Sequence, residues 1–125
     1  MTVFLSLEDA LELISRQGVG PVRDLGLLDS ALQRPASSLF GQDAYPRLAE
    51  KAAALIESIV RNHALFDGNK RFGWFAMAVF LDLNDVDFDV AEDDAYEFVL
   101  AVAAGKLSLE EITSQLERWI EPAAN

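Results

Sequence analysis

Apolar residues recur three and four positions apart over most of this chain, the spacing that gathers them on one face of a helix. In the first such stretch Leu7, Leu11 and Ile14 share a face, Ser6 followed by Glu8 and Asp9 opens it in the manner of a capping box, and Gly18 ends it. Gly18-Val19-Gly20-Pro21 reads as a turn. Asp24 then caps a short helix that carries Leu25, Leu28 and Leu32 and closes at Pro35. Residues 36 to 45 mix Ser37, Ser38, Gly41, Gln42 and Asp43 with the aromatics Phe40 and Tyr45, a pattern that suits a flap or hairpin rather than a helix. Pro46 fits the first turn of a third helix running to about Asn62, with Leu48, Ala52, Leu55, Ile56 and Ile59 as its buried stripe.

A short loop at residues 63 to 68 precedes the most apolar stretch, Asn69 to Leu83, which holds Phe72, Trp74, Phe75, Met77, Val79, Phe80 and Leu81. A helix apolar nearly all round is central, covered by others. Residues 84 to 89 are a polar connection with room for a short edge strand at most, and another helix is predicted from about 91 to 104. After Gly105, Ser108-Leu109-Glu110-Glu111 repeats the capping-box pattern and opens a last helix with Ile112, Leu116 and Trp119 on its apolar face. The expectation is an all-α fold, a compact bundle of about six helices built around the helix after the loop. No strong strands alternate with these helices, so a parallel sheet is not expected.

Length and composition narrow the class. A chain of 125 residues, 51% of them apolar, suits one domain with a substantial core, here expected over residues 1–125. No stretch nears the roughly 18 uninterrupted apolar residues of a membrane span, and no basic segment with an apolar signal core opens the chain, so a cytoplasmic protein without membrane contact is expected. With no cysteine and one histidine, a metal must be held mainly by oxygen. The net charge of −11 argues against nucleic acid as a direct partner, since such binding draws on Lys and Arg neutralising phosphates. Arg61, Lys70 and Arg71 nevertheless lie close together in sequence around the histidine, a local positive site suited to a small anion.

That site is Asn62-His63-Ala64-Leu65-Phe66-Asp67-Gly68-Asn69-Lys70-Arg71, between the end of one predicted helix and the start of the next. A helix N-terminus presents unpaired N–H groups and the positive end of the macrodipole, and Gly68 lets the backbone approach an anion closely. Lys70 and Arg71 in the first turn oppose the macrodipole unless an anion sits there, and such local conflicts concentrate at functional sites. Asp67 supplies a hard oxygen beside the phosphates, where magnesium takes one or two carboxylates together with phosphate oxygens. Histidine exchanges protons near neutral pH, which fits His63 to accept one from an incoming hydroxyl.

These residues resemble the signature of the Fic/Doc family, H-x-F-x-[D/E]-G-N-x-R, with His63, Asp67, Gly68, Asn69 and Arg71 matching at the right spacing. Lys70 stands where adenylyl-transferring Fic proteins usually carry Gly, as in the Doc (death on curing) branch, and Arg23-Asp24-Leu25-Gly26-Leu27-Leu28-Asp29-Ser30-Ala31-Leu32 is similar to the N-terminal part of Doc-like proteins. The resemblance implies a Fic fold and a toxin of a toxin–antitoxin pair. It further implies a protein kinase that moves the γ-phosphate of ATP onto a hydroxyl of elongation factor Tu and halts translation. His63 would be the general base and Asp67 the Mg2+ ligand. The Gly68, Asn69 and Lys70 amides would form the phosphate cradle, with Lys70 and Arg71 neutralising charge as catalytic groups. The flap within residues 36 to 45 would dock the protein substrate as an added extended segment.

Two departures accompany the match. Leu65 stands where the family has Phe and should alter packing more than chemistry. No [S/T]-x-x-x-E-[G/N] inhibitory helix is present, Thr113 to Glu117 followed by Arg118 being the nearest, so inhibition is expected from a separate antitoxin. The competing readings are an adenylyl transferase and a catalytically silent module that binds an antitoxin or regulator. For single residues, Asp67 as a mere helix cap, Lys70 and Arg71 as solvated first-turn charges, and Phe72, Trp74, Phe75 and Phe80 as plain core are the structural alternatives.

Overall fold

A computed structural model describes residues 1–120 and contains six α-helices among them: α1 (Leu7–Gln17), α2 (Leu25–Gln33), α3 (Leu48–Asn62), α4 (Asn69–Leu83), α5 (Glu92–Ala103) and α6 (Leu109–Ile120). A 3-10 turn at Arg34–Ala36 and a two-stranded antiparallel hairpin, β1 (Ser38–Leu39) and β2 (Gln42–Asp43), join α2 to α3. The all-α expectation holds. The one-domain reading reached to residue 125, and residues 121–125 lie outside the described part.

The helix limits follow from local capping. The Ser6 hydroxyl accepts the Asp9 N–H at 3.0 Å while the Asp9 carboxylate accepts the Ser6 N–H at 3.0 Å, so two otherwise unpaired donors are met at the start of α1. Ser108 and Glu111 repeat this at α6, and Asp24 accepts the Leu27 N–H at the start of α2. Pro46 is not in the first turn of α3 as expected. The helix begins two residues later with Arg47 as its N-cap, because the Arg47 N–H is met by the Glu50 carboxylate and its guanidinium is held by Glu50, Glu110 and Glu117.

One apolar core runs from Leu5 on the approach to α1 to Leu116 on α6. The helix after the loop is central as expected, with Phe72, Met77, Phe80 and Leu81 inaccessible, but it shares the centre with α3, the more enclosed of the two. Helix α3 packs against α2, α4, α5, α6 and the 3-10 turn, while α4 leaves part of its face to Trp74 and Val79, half-buried. Small residues explain α3: Ala49, Ala52, Ala53 and Ala54 are all buried and let neighbours close in from several sides. Phe72 and Phe80 are core, as expected, and Trp74 packs against it, meeting Phe88, Phe98 and Trp119 edge-on at about 6 Å between centroids, while Phe75 is half-buried.

The hairpin is anchored by side chains reaching it from the helices. Arg34 donates from Nε to the Tyr45 hydroxyl at 2.9 Å and from Nη1 to Glu57 at 2.7 Å and Ser58 at 2.9 Å. Burial works against that charge, but the bonds to Glu57 and Tyr45 outweigh it and raise the Arg34 pKa. The Lys51 ammonium, 4% exposed, pairs with Asp43 and donates to the Tyr45 carbonyl.

Candidate active site

The end of α3 and the start of α4 are bridged by His63 to Gly68, and the segment Val19 to Asp24 lies against this loop as a short antiparallel partner. Gly20 N–H donates to the Asp67 carbonyl at 2.9 Å, Phe66 N–H to the Pro21 carbonyl at 3.0 Å, and Val22 bridges Leu65. Arg23 and Asp24 N–H both donate to the Ala64 carbonyl, at 2.7 and 3.0 Å. Asn69 staples the loop from within: its side-chain oxygen accepts the Leu65 N–H and its amide donates to the Leu65 carbonyl, both at 3.0 Å. The sequence reading put Asn69 in the cradle through its backbone. Its side chain adds a task that was not foreseen, holding the loop closed.

Gly68 is the N-cap of α4 in the left-handed region at φ +85°, and no side chain caps the helix. A Cβ built there would sit 2.5 Å from Val19 Cγ1, so both the backbone sign and the close approach of Val19 require glycine. The ladder of α4 starts with Phe72 N–H to the Gly68 carbonyl. The amides of Asn69, Lys70 and Arg71 precede it, the ordinary arrangement of free donors at a helix start. Asp67 is exposed, and its carboxylate takes no hydrogen bond among the described residues, so the cap reading for it does not hold.

His63 caps the end of α3 in the left-handed region, with φ 53° and ψ 47°. Its side chain is exposed and its ring has no hydrogen-bond partner among the described residues, while its carbonyl accepts twice from Arg23. Leu65 is 2% exposed and Phe66 67%. Leu65 therefore packs into the core below the loop, as its departure from the family pattern suggested, and Phe66 points to solvent.

The basic residues divide sharply. Lys70 is exposed with no partner among the described residues, and Arg71 makes one long hydrogen bond from Nη1 to the Gln17 carbonyl at 3.4 Å. Arg61, read from the sequence as part of the same positive site, is not there. Its guanidinium is committed to the Val102 carbonyl at 3.0 Å, the Leu107 carbonyl at 3.2 Å and Glu57 at 2.8 Å, pinning α3 to α5 and to the connection before α6. Arg23 takes its place beside the loop, a residue the sequence reading quoted but gave no role. The signal for it was a cation directly before the Asp24 cap in an acidic chain.

The family model described as Fic/DOC family matches residues 4–81, which hold α1 to most of α4 and the whole loop. The chain belongs to the Fic/Doc family. This is a family of transferases. A similar relative is Toxin Doc of Mycolicibacterium smegmatis, 48% identical over 122 residues, covering 93% of this chain and 92% of that protein.

Within this Fic/Doc chain His63, Phe66, Asp67 and Lys70 are all exposed. A concavity of about 680 Å3 lies between α5 and α6, lined by Asp94, Glu97, Glu110, Glu111, Arg118 and Trp119 among others, and contains no loop residue. Its acidic rim does not suit a phosphate, so the chemistry stays with the loop. No group of three or more His, Asp or Glu side chains gathers to hold a metal among the described residues. A magnesium ion at Asp67 thus fits only in the form that takes one carboxylate from the protein and its remaining oxygens from phosphate and water. Thr113 and Glu117 are both engaged on α6, the threonine hydroxyl with the Leu109 carbonyl and the carboxylate with Arg47. No helix among the described residues is long and apolar enough to cross a membrane.

Proposed function

We infer that this chain is a Doc-like toxin, a protein kinase that transfers the γ-phosphate of ATP to a hydroxyl of a translation factor, elongation factor Tu by family resemblance, and so inhibits translation. It would act in the cytoplasm as one domain and be held in check by a cognate antitoxin protein. One observation carries the reading most. The chain has 21 Asp and Glu against 10 Lys and Arg, and Arg16, Arg34, Arg47, Lys51 and Arg61 all pair with carboxylates. Lys70 and Arg71 have no carboxylate partner among the described residues, as is also true of Arg23, Lys106 and Arg118, but only these two stand in the first turn of a helix behind a left-handed glycine. In so acidic a protein, cations left unpaired there call for an anion from outside.

The roles follow from position. His63, exposed at the end of α3, takes the proton from the target hydroxyl as its oxygen attacks the γ-phosphorus and ADP leaves. The Gly68, Asn69 and Lys70 amides cradle phosphate oxygens, and the Lys70 and Arg71 side chains offset the charge that builds on them. Asp67 would hold Mg2+, which supplies charge neutralisation to the phosphates. The exposed edge and tip of the hairpin at 38–43 would receive the substrate protein as an extended segment. Catalysis then comes from positioning and charge, with no covalent intermediate on the enzyme.

Incubation with Mg2+, elongation factor Tu and either γ-labelled or α-labelled ATP tests this, with His63→Ala as control. Transfer of γ-label to the factor, cut to a small residual level in the control, is the expected result. Transfer of α-label instead makes the chain an adenylyl transferase. Transfer of neither label, to the factor or to any protein of a bacterial lysate, leaves the antitoxin-binding module as the reading that survives.

A further inference from the structure

We propose that Arg23 is a positioning residue for the transfer, setting the backbone of His63 and through it the imidazole; this rests on the kinase reading for its activity arm. The left-handed conformation of His63 costs about 1–2 kcal/mol for a residue with a Cβ, and such strain persists only where the surroundings over-determine it. Here they do. Arg23 donates to the His63 carbonyl from Nε at 2.9 Å and from Nη2 at 2.6 Å, a fork of two N–H groups on one oxygen. The following carbonyl, Ala64, takes the backbone N–H groups of Arg23 and Asp24. Asp24 in turn caps α2, so the direction of two successive carbonyls at the end of α3 is referred to the start of another helix.

The side chain's contribution separates from that of its backbone. The bonds from Arg23 and Asp24 N–H to Ala64 survive any substitution at the Arg23 side chain, so α2 and α3 stay tied. Among the described residues the guanidinium hydrogen-bonds only to the His63 carbonyl, in an exposed setting where water can replace it, and it has no carboxylate partner. Its positive charge also sits at the negative end of the α3 macrodipole. Removing it therefore costs little stability but frees the peptide that orients the catalytic ring. A planar fork is required for this, which a lysine ammonium does not provide.

The experiment compares Arg23→Gln and Arg23→Lys with the wild type, in the native background and in His63→Ala. Misplacing a reacting group by about an ångström costs on the order of 100-fold, so Arg23→Gln should lower kcat by about 10- to 100-fold with the KM for ATP within about twofold, and Arg23→Lys should fall between. In the His63→Ala background the same substitution should change the residual transfer little, since it acts through a ring no longer present. The backbone carbon shifts of His63 in NMR should move away from left-handed values in Arg23→Gln, and partly so in Arg23→Lys.

Equal losses in both backgrounds would overturn the proposal, as would a raised KM for ATP at unchanged kcat, which would make Arg23 a phosphate ligand instead. Should the wild type transfer no γ-phosphate, the kinase reading fails by itself. The His63 shifts still decide the positioning role, unchanged values in both variants refuting it and displaced values supporting it.

Discussion

The loop between α3 and α4 and the hairpin between α2 and α3 are held in opposite ways. In the loop the backbone is tied down at Ala64, Leu65, Phe66 and Asp67 by residues 20–24 and by Asn69, while the side chains of His63 and Asp67, and of Lys70 just beyond, have no partner among the described residues. In the hairpin the side chains of Asp43 and Tyr45 are the anchors, while Leu39 and Phe40 at the tip are exposed. A rigid backbone with free functional groups suits chemistry on a small ligand, where geometry must be exact before the ligand arrives. A short ribbon fastened at its base suits an adjustable contact with a large one. The comparison implies that damage to the loop should fall on the transfer step and damage to the hairpin on recognition of the protein substrate.

The sharpest way to break it is through two glycines that share a backbone sign. Gly68→Ala meets both the left-handed strain and a Cβ 2.5 Å from Val19, and Gly41→Ala at φ +79° meets the strain with nothing within 4 Å. Gly68→Ala should lose about 2–4 kcal/mol of stability from strain plus overpacking, with transfer abolished. Gly41→Ala should lose about 1–2 kcal/mol and keep nucleotide binding. Thermal melts and a nucleotide-binding titration check both; equal loss of binding would mean that the loop and hairpin are one mechanical unit.

Next in size is the staple. Asn69→Ala removes two hydrogen bonds from a half-buried stretch of backbone, which should cost about 2 kcal/mol and weaken ATP binding through a cradle no longer held. Asn69→Asp keeps the acceptor for the Leu65 N–H but turns a carboxylate oxygen toward the Leu65 carbonyl, so it should recover only part of the stability. A variant as stable and as tight for ATP as the wild type would refute the idea that the loop is closed from within.

How much of this was legible from the chain alone depends on the range of the interaction. Capping is local, so Ser6, Asp24, Ser108 and the start of α4 at Asn69 could be read from a few neighbouring letters. The matched signature likewise puts His63, Asp67 and Gly68 in one loop, with Lys70 in the helical turn that follows, because six residues between two helices have nowhere else to go. The contact of Arg23 with His63 spans 40 positions, and Arg61 turns to carbonyls 41 and 46 positions away. Nothing in local periodicity reports such pairs, which is why Arg61 was counted with the anion site and Arg23 was not. Pro46 failed for a related reason: a proline in the first turn is a common local habit, but the carboxylates of Glu110 and Glu117 on α6 hold Arg47 as the N-cap of α3.

The hairpin's anchors should yield a smaller effect, confined to its own region. Lys51→Met replaces a buried cation by an apolar side chain of similar length, and because the desolvation cost of the ammonium vanishes with its pairing to Asp43, stability should change by no more than about 1 kcal/mol. Arg34→Met should cost more, about 1–2 kcal/mol after allowing for the partial exposure of the pair, since Ser58 and Tyr45 lose a partner while Glu57 keeps Arg61. In both, hydrogen exchange of the Ala44 N–H, bonded to the Ser37 carbonyl, should quicken with ATP affinity unmoved. Altered ATP affinity would join the two regions that the comparison separates.

The smallest effect on the fold, and the most telling for function, should come from Phe40→Ser. Phe40 is 95% exposed at the tip and sits at φ +52°, where a small polar residue is no worse accommodated than a phenyl ring, so stability should change by less than about 0.5 kcal/mol. An exposed aromatic at the tip of a docking ribbon gives binding area to a partner and nothing to the monomer. Phe40→Ser should therefore raise the KM for the protein substrate about tenfold, leaving the KM for ATP and the thermal melt as in the wild type. If instead transfer to the protein substrate is unaffected, the hairpin is not where that substrate docks, and the loop alone must select the hydroxyl it modifies.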